Sequence, residues 1–442
     1  MNSLDKKITA ETAIIGIIGL GYVGLPLAVA FTKYFSVIGY DVNNETIAHL
    51  KSGKSHILDV SNDVINKYLN KSFIPTDDAD ELKKCAFLII CVPTPLSEDY
   101  IPNLNYIKGA CNTITKILKG SQFVILESTS YPGTTEEVVV PILERNGLKA
   151  GVDFGVAYSP ERIDPGNKSF NIQDVPKIVG GLNQQCTDLA VALYKKITCE
   201  VIPVENTRTA ESVKMVENIF RSVNIALVNE LALIFERMNI NTWDVIDAAA
   251  SKPYGFMPFY PGPGIGGHCI PLDPYYLSYK AKKFGFIPRF IETSGEINEF
   301  MKIHVVNLTE TGLKKVNKNI SGAKIAVIGL AYKKNIDDTR ESPAIHIIEE
   351  LVRLGANVNV YDPYVLSLKT KAGLFTSEKD ISVAISGSDC AIFLVDHDIF
   401  RDIKLRELTD PMLLPVIIDA KNMFEREDGI VYMGLGKDNS RE

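Results

Sequence analysis

The chain of 442 residues has no uninterrupted apolar run approaching the roughly 20 residues that cross a bilayer, so no membrane span is expected. It is also short of positive charge: 47 Lys and Arg face 54 Asp and Glu, a formal net charge of −7. That balance excludes a nucleic-acid scaffold, whose phosphate contacts need a basic surface, and leaves room only for a local basic pocket. Paired cysteines are missing too. The seven present, Cys85, Cys91, Cys111, Cys186, Cys199, Cys269 and Cys390, are odd in number, scattered and without C-x-x-C spacing. A disulfide framework and a zinc site are therefore not expected, no metal ligands are assigned, and most of these thiols read as small buried apolar residues. The N-terminal stretch MNSLDKKITAETAIIG lacks the form of a signal peptide, because its apolar part runs straight into a glycine-rich turn. The expected compartment is the cytoplasm.

What is present is the composition of an ordinary globular protein, 46% hydrophobic and 23% charged. The length exceeds what one core usually serves and predicts two or three domains. Ala13 to Ile18 is strand-like, meets a glycine turn, and is followed by an apolar helical stretch and a second strand ending in Asp41, a complete βαβ unit. Further short β-like runs alternate with helical stretches up to about position 205, the pattern of a doubly wound parallel sheet. A helical stretch without Pro or Gly then runs from Thr209 to about Met238, longer than an average globular helix and suited to a domain spine or a dimer face. A Pro/Gly-rich loop, Lys252 to Pro274, and more helix follow. A second α/β pattern begins at Lys324, with Gly329 after its first strand and Asp362 after its second. The expected fold is α/β: two Rossmann-like domains with parallel sheets joined by a long central helix and a helical middle. The expected division is a dinucleotide-binding part at 1–205, a helical part at 206–318 and a second α/β part at 319–442.

Gly19, Gly21 and Gly24 satisfy G-x-G-x-x-G between the first strand and its helix. Such glycines allow a tight turn, close approach of a pyrophosphate and close helix–strand packing, and the helix N-terminus presents free N–H groups to the phosphates. Tyr22 and Val23 lie within the turn. Asp41, 22 residues past Gly19, can accept hydrogen bonds from ribose hydroxyls and would repel a 2′-phosphate, which favours NAD over NADP. Val92-Pro93-Thr94 follows another strand and would reach the cofactor from the sheet's carboxyl edge. A packing-only glycine turn is the plainer alternative, but strand, helix, second strand and acid all fall in register with a dinucleotide site.

The passage Phe259 to Cys269 (FYPGPGIGGHC) is the least ordinary in the chain. Glycines let a backbone approach a ligand, and prolines stiffen a loop. Most isolated cysteines are buried hydrophobes; one in such a loop, in a chain with a dinucleotide site, reads as a nucleophile. Asp273 could orient a water or a base. His268 could serve as a base, although packing or a loop hydrogen bond is its more ordinary role.

On these residues the sequence resembles the UDP-glucose/GDP-mannose dehydrogenase family. The motifs that carry the likeness are Gly19-Leu20-Gly21-Tyr22-Val23-Gly24-Leu25-Pro26, Glu127 to Thr135, Ser159-Pro160-Glu161-Arg162, Glu211 to Asn218, Gly266 to Asp273, and Tyr332 to Ser342, spread in order over nearly the whole chain. The resemblance implies a double oxidation of a sugar C6 alcohol by NAD, with Cys269 holding the intermediate aldehyde as a thiohemiacetal and then as a thioester that water hydrolyses. It implies that Lys214 and Asn218, four apart on one helix face, bind the oxyanion and assist proton transfer. Glu161 and Thr129 would position water or act in acid–base steps, with Asp273 in support and Thr129 also beside the cofactor. Phe259, Tyr260, Gly264, Gly266, Arg162 and Ile163 would line the sugar site, Lys333 would meet the UDP moiety, and Arg340 would reach the cofactor. A homodimer built on the helical middle is the implied assembly.

The segment Cys269-Ile270-Pro271-Leu272-Asp273, preceded by His268, together with Ser159 to Ile163, looks more like the UDP-N-acetylhexosamine branch than the UDP-glucose branch, with UDP-N-acetylglucosamine the first expectation. UDP-N-acetylmannosamine, UDP-N-acetylgalactosamine and UDP-glucose stay open, because pocket shape decides them. A β-hydroxyacid dehydrogenase of the 6-phosphogluconate type would share the N-terminal domain and a helical Lys with Asn four residues on, but needs neither the cysteine loop nor a second α/β domain. A non-catalytic sensor of NAD or nucleotide sugars would have no use for Lys214, Asn218 and Cys269 together.

Overall fold

The computed structural model describes residues 2–57, 59–97, 99–162, 170–267 and 270–440. Cys269, His268 and Ile163, singled out above, lie outside the described residues. The chain divides into two compact units. One comprises Met1–Glu217 with Tyr275–Phe286, the other Asn218–Pro274 with Ile287–Glu442.

The first unit holds eight strands: β1 (Ile14–Ile18), β2 (Ser36–Tyr40), β3 (Phe73–Thr76), β4 (Phe87–Ile90), β5 (Phe123–Leu126), β6 (Gly155–Tyr158), β7 (Lys177–Gly181) and β8 (Val201–Pro203). They form one sheet in the order β3-β2-β1-β4-β5-β6-β7-β8, whose first six strands follow the dinucleotide-binding order. The central strands FLII and FVIL are buried along their whole length, as strands covered on both faces must be, and therefore read as continuous apolar runs. The sheet is not wholly parallel: β7 runs against β6, pairing Ala157 with Gly181 and Tyr158 with Gly180. That reversal brings the residues just after β6 alongside the start of β7.

The second unit holds a five-stranded sheet in the order β10-β9-β13-β14-β15, built from β9 (Lys324–Ile328), β10 (Asn357–Tyr361), β13 (Cys390–Phe393), β14 (Val416–Asp419) and β15 (Val431–Gly434), all parallel. The strands β11 (Ser367–Thr370) and β12 (Gly373–Thr376) form a separate hairpin. The helix Arg289–Lys315 shares this unit's core through Met301, Val305 and Leu313, and a Cβ on its Gly312 would lie 3.0 Å from Val416.

The central helix, Thr207–Arg237, has 31 residues. It starts where the Asn206 side chain accepts the N–H of Thr209, an N-cap, and gives way to Asn239 in the left-handed region at φ 57°. By length and composition it could cross a membrane, with a mean hydropathy of 1.3 over its most apolar window, which the absence of one unbroken apolar run had hidden. Its buried face argues otherwise: Glu211, Lys214, Asn218, Ser222 and Asn229 follow one another at helical spacing and are all buried. A stripe of buried polar groups belongs to a protein core that uses them.

Candidate functional site

The glycine turn joins β1 to the helix Gly24–Phe31. Gly19 sits at φ 93°, and a Cβ there would lie 2.6 Å from the carbonyl oxygen of Cys91, where β1 and β4 part. A Cβ on Gly24 would fall 1.8 Å from the Gly19 oxygen, so this glycine serves helix–turn packing. Gly21 has nothing within 4 Å of its Cβ position and is exposed, which is the open space a pyrophosphate needs. The residues therefore fit a dinucleotide. Val23 packs partly on the unit's core, Tyr22 is exposed, and the Val92 amide donates to Ser128 Oγ beside half-buried Thr129. Thr94 is buried and its carbonyl accepts the Tyr276 hydroxyl.

Asp41 already works within the protein: Oδ2 accepts the Leu20 amide at 2.8 Å and Oδ1 the Asn43 amide at 2.9 Å. The second lone pair of each oxygen stays open to ribose hydroxyls. His56 Nε2 lies 2.9 Å from the Leu20 carbonyl and braces the same turn, a residue that sequence reasoning passed over.

The second unit repeats this turn. Gly329 also sits at φ 93°, its N–H bonds to Tyr361 as that of Gly19 bonds to Tyr40, and Asp362 accepts the Leu330 amide at 2.7 Å. The copy is sealed. Asp362 is buried, accepts the further amides of Ala331, Tyr364 and Val365, and lies 3.1 Å from buried His397 Nε2. The Asn335 amide donates to His397 Nδ1, so Nε2 carries the hydrogen directed at Asp362. No lone pair of this aspartate is left for a ribose.

In the first unit Glu161 is buried, with Oε1 accepting the Arg162 amide at 2.7 Å and Oε2 3.4 Å from the Lys177 ammonium. Lys177 also donates to Glu127 Oε2 at 2.8 Å, and the Tyr194 hydroxyl donates to Glu127 Oε1. Burial pushes the Glu127 carboxyl up, against the pull of Lys177; burial alone would lower the Lys177 ammonium, but Glu127 and Glu161 hold it above its ordinary value. Neither Glu127 nor Lys177 was marked as part of the Glu161 site from sequence.

The Arg162 guanidinium pairs with Glu217 at 2.7 Å and donates to the Pro176 carbonyl at 2.5 Å, fastening the Glu161 segment to the central helix and to the start of β7. Arg340 is similarly engaged, bidentate on Asp338 at 2.6–3.0 Å within its own turn, while Lys333 is half-buried.

On the central helix, Lys214 is 6% exposed and has no hydrogen-bond or ion-pair partner among the described residues. One turn on, Asn218 donates one amide hydrogen to buried Asp273 at 2.6 Å and accepts from Arg221, which leaves a second N–H to give. Glu211 accepts the Gly133 and Thr135 amides at 2.5 and 2.8 Å and the Thr135 hydroxyl, tying the helix to the segment after Thr129. Burial raises its carboxyl to about 7 in spite of those donors. A raised carboxyl favours the folded state in its protonated form, so this stability is complete below about 4.5 and is lost as pH rises through about 7. Urea melts at pH 5 and pH 8 are expected to show the wild type losing up to about 3 kcal/mol that Glu211→Gln does not lose, the variant being less stable at pH 5 because its amide N–H₂ faces other donors.

The glycine loop lies in the second unit. Asn229 Oδ1 accepts the Gly262 amide and Asn229 donates to Asn298, so two helices hold the loop from below. Phe259 meets Phe220 edge-on at 5.8 Å, and Tyr260 stacks on Trp243 at 5.3 Å and donates to Asp247. The described glycines of this loop pack closely against neighbouring protein. A Cβ on Gly266 would lie 2.5 Å from Tyr332 Cβ, one on Gly267 2.8 Å from the Tyr332 ring, and the Gly267 amide donates to the Arg340 carbonyl. Gly264 sits at φ 121°, and a Cβ there would lie 3.2 Å from the Asn298 carbonyl oxygen. Lys421, also unforeseen, comes within 3.4 Å of a Cβ on Gly262, its ammonium depressed by burial against the opposing pull of Asp396 and Asp419.

Three family models match the chain in order: the UDP-glucose/GDP-mannose dehydrogenase family NAD binding domain over residues 13–198, its central domain over 208–300, and its UDP binding domain over 326–426. A UDP-N-acetyl-D-glucosamine 6-dehydrogenase of Pseudomonas aeruginosa is 40% identical over 79% of this chain and 83% of its own. An NDP-N-acetyl-D-galactosaminuronic acid dehydrogenase of Ralstonia solanacearum is 34% identical over 95% of this chain and 98% of its own. Among solved structures, a UDP-D-ManNAc dehydrogenase from Pyrococcus horikoshii superposes with a TM-score of 0.90 at 35% identity, over 96% of this chain and 100% of that one.

Proposed function

The chain belongs to the UDP-glucose/GDP-mannose dehydrogenase family of NAD-dependent oxidoreductases, and from that premise we propose that it oxidises the C6 alcohol of a UDP-N-acetylhexosamine, UDP-N-acetylglucosamine first, to the uronic acid. The observation that carries the reading is Lys214, a buried ammonium without a described partner, on the helix face that also carries Asn218. A charge kept there at the cost of desolvation suits an oxygen that becomes negative during the reaction. The acetamido sugars in the relatives' names support the hexosamine.

When bound, NAD accepts a hydride in each of the two oxidations. Gly19, Gly21 and Gly24 give it the turn, Asp41 the ribose acceptor, and Tyr22, Val23, Val92, Pro93, Thr94 and Thr129 the surroundings. Cys269 attacks the aldehyde to give a thiohemiacetal, whose oxidation leaves a thioester. Lys214 and the free N–H of Asn218 stabilise the oxyanion, with Asp273 orienting that amide. Glu161 and Thr129 position the water that hydrolyses the thioester, releasing the carboxylate and the thiol. Lys333 serves the UDP moiety, and Phe259, Tyr260, Gly264 and Gly266 the sugar. Arg340 reaches the cofactor, and Arg162 and Ile163 join the sugar site. The division at 205/206 and 318/319 separates the cofactor, helical and UDP-binding parts. The exposed stripe Val216, Phe220, Leu227 and Ile234 on the central helix supports a homodimer, and surface-polysaccharide synthesis in the cytoplasm is the setting such a product suits.

Purified protein with NAD and UDP-N-acetylglucosamine is expected to form close to two NADH per sugar consumed, faster than with the mannosamine, galactosamine and glucose analogues. Cys269→Ser is expected to lose this turnover. One NADH per sugar with a released aldehyde, or wild-type turnover by Cys269→Ser, would overturn the mechanism; a faster rate with another sugar would reassign the substrate.

A further inference from the structure

We propose that Lys177 is a positioning residue for Glu161, holding that carboxylate ionised and aimed, and that Glu127 and Tyr194 hold Lys177 in turn. The inference rests on the assignment of Glu161 to water positioning and proton transfer.

The groups come from successive elements of one sheet. Glu127 follows β5, Glu161 follows β6, Lys177 opens β7, and Tyr194 ends the helix Gln184–Tyr194. Cys91, after β4, faces the same cluster. A lysine at the first position of a strand normally reaches water. Here its side chain is 7% exposed, and those of Glu127 and Glu161 are 0% and 7% exposed. One carboxylate is enough to neutralise one buried ammonium, and Glu127, at 2.8 Å, does so. Glu161 is a second carboxylate on the same ammonium, which structural pairing does not require. Two other described groups in the cluster add no charge: burial pushes the Cys91 thiol and the Tyr194 phenol well above their ordinary ranges, so both stay neutral.

Without Lys177, two buried carboxylates would compete for one proton, and a protonated Glu161 could not accept a proton from water. With it, Glu161 keeps its charge, one oxygen directed by the ammonium and the other by the Arg162 amide. Tyr194 holds both members of the Lys177–Glu127 pair. Its hydroxyl donates to the other Glu127 oxygen, and its ring centroid lies 5.4 Å from the Lys177 nitrogen.

The test is a carboxyl ¹³C NMR titration of the full-length protein, with the Glu161 resonance assigned by its loss in Glu161→Gln, run beside pH profiles of kcat and KM with NAD and UDP-N-acetylglucosamine. Lys177→Met is expected to raise the Glu161 midpoint by about one to three pH units, and the acid limb of kcat with it, at unchanged KM. Lys177→Arg should restore most of that shift. Glu127→Gln should lower the midpoint, because the ammonium then serves one carboxylate; this variant keeps the cation and carries the test if Lys177→Met fails to fold. An unmoved Glu161 midpoint in Glu127→Gln, or in a folded Lys177→Met, overturns the inference whatever happens to the rate. A midpoint that moves without the acid limb following would instead show that Glu161 takes no part in turnover, which overturns its assignment under the proposed function.

Discussion

Lys214→Met is expected to lower kcat by about 100- to 1,000-fold while leaving the melting temperature at or above that of the wild type. The two halves of this expectation have one cause. An ammonium that is 6% exposed and has no partner among the described residues contributes little to the resting fold, so its removal is not expected to weaken it. What it forfeits is the interaction made when an oxygen near it becomes charged, which is transition-state stabilisation and appears in kcat more than in KM. Met keeps the unbranched stem and the helix propensity, so the central helix should persist. Asn218→Ala should cost less, since its second amide hydrogen is one donor among several, and should also disturb Asp273 by removing its 2.6 Å partner. Thermal melts and initial rates on the same preparations decide the matter. A parallel loss of stability and rate in Lys214→Met would make Lys214 a structural lysine.

The parts of the fold legible in the sequence are those whose signal is local. The run before Gly19, the glycine spacing and Asp41 announced the first βαβ unit because each residue meets its neighbours within one turn or one strand. The repeat around Gly329 and Asp362 was legible as strand, turn and acid for the same reason. What made it a different site was not: His397 lies 35 residues from Asp362 in the chain and closes the copy through one side chain. Lys177 escaped notice because a charged residue at a strand start resembles a solvated end, and the antiparallel return of β7 that buries it depends on long-range pairing. The glycines near Cys269 were read as room for a ligand. Their crowding is real, but the neighbours on Gly266 and Gly267 are the side chain of Tyr332, some 65 residues further on. Glycine spacing reports that something comes close, and only tertiary structure says what. Arg162 teaches the complement: a basic residue in a recognisable motif can also pair with an acid, Glu217, that lies 55 residues further along the chain.

The two glycines at the core of the dinucleotide turn should fail in different assays. Gly24→Ala places a methyl group 1.8 Å from the Gly19 oxygen and 3.2 Å from Cys91 Cβ, neither of which can yield without moving the helix Gly24–Phe31 off its turn. The expected cost is about 3 kcal/mol, which for a unit of this size lowers the melting temperature by roughly 6–12 °C and takes NAD binding with it. Gly21→Ala meets nothing within 4 Å and needs no unusual backbone angle, so the apo protein should melt like the wild type. Its methyl group would occupy the space where a pyrophosphate has to approach the backbone, and the NAD dissociation constant is expected to rise at least about tenfold, or ~1.4 kcal/mol. Calorimetric titration with NAD, paired with melts in its absence, separates the cases. An unchanged affinity in Gly21→Ala would mean that the pyrophosphate does not pass this point, and the open space at Gly21 would then have to be explained by something other than the cofactor. A loss of stability in Gly21→Ala equal to that in Gly24→Ala would mean that the turn depends on the backbone freedom of both glycines rather than on the room beside one of them.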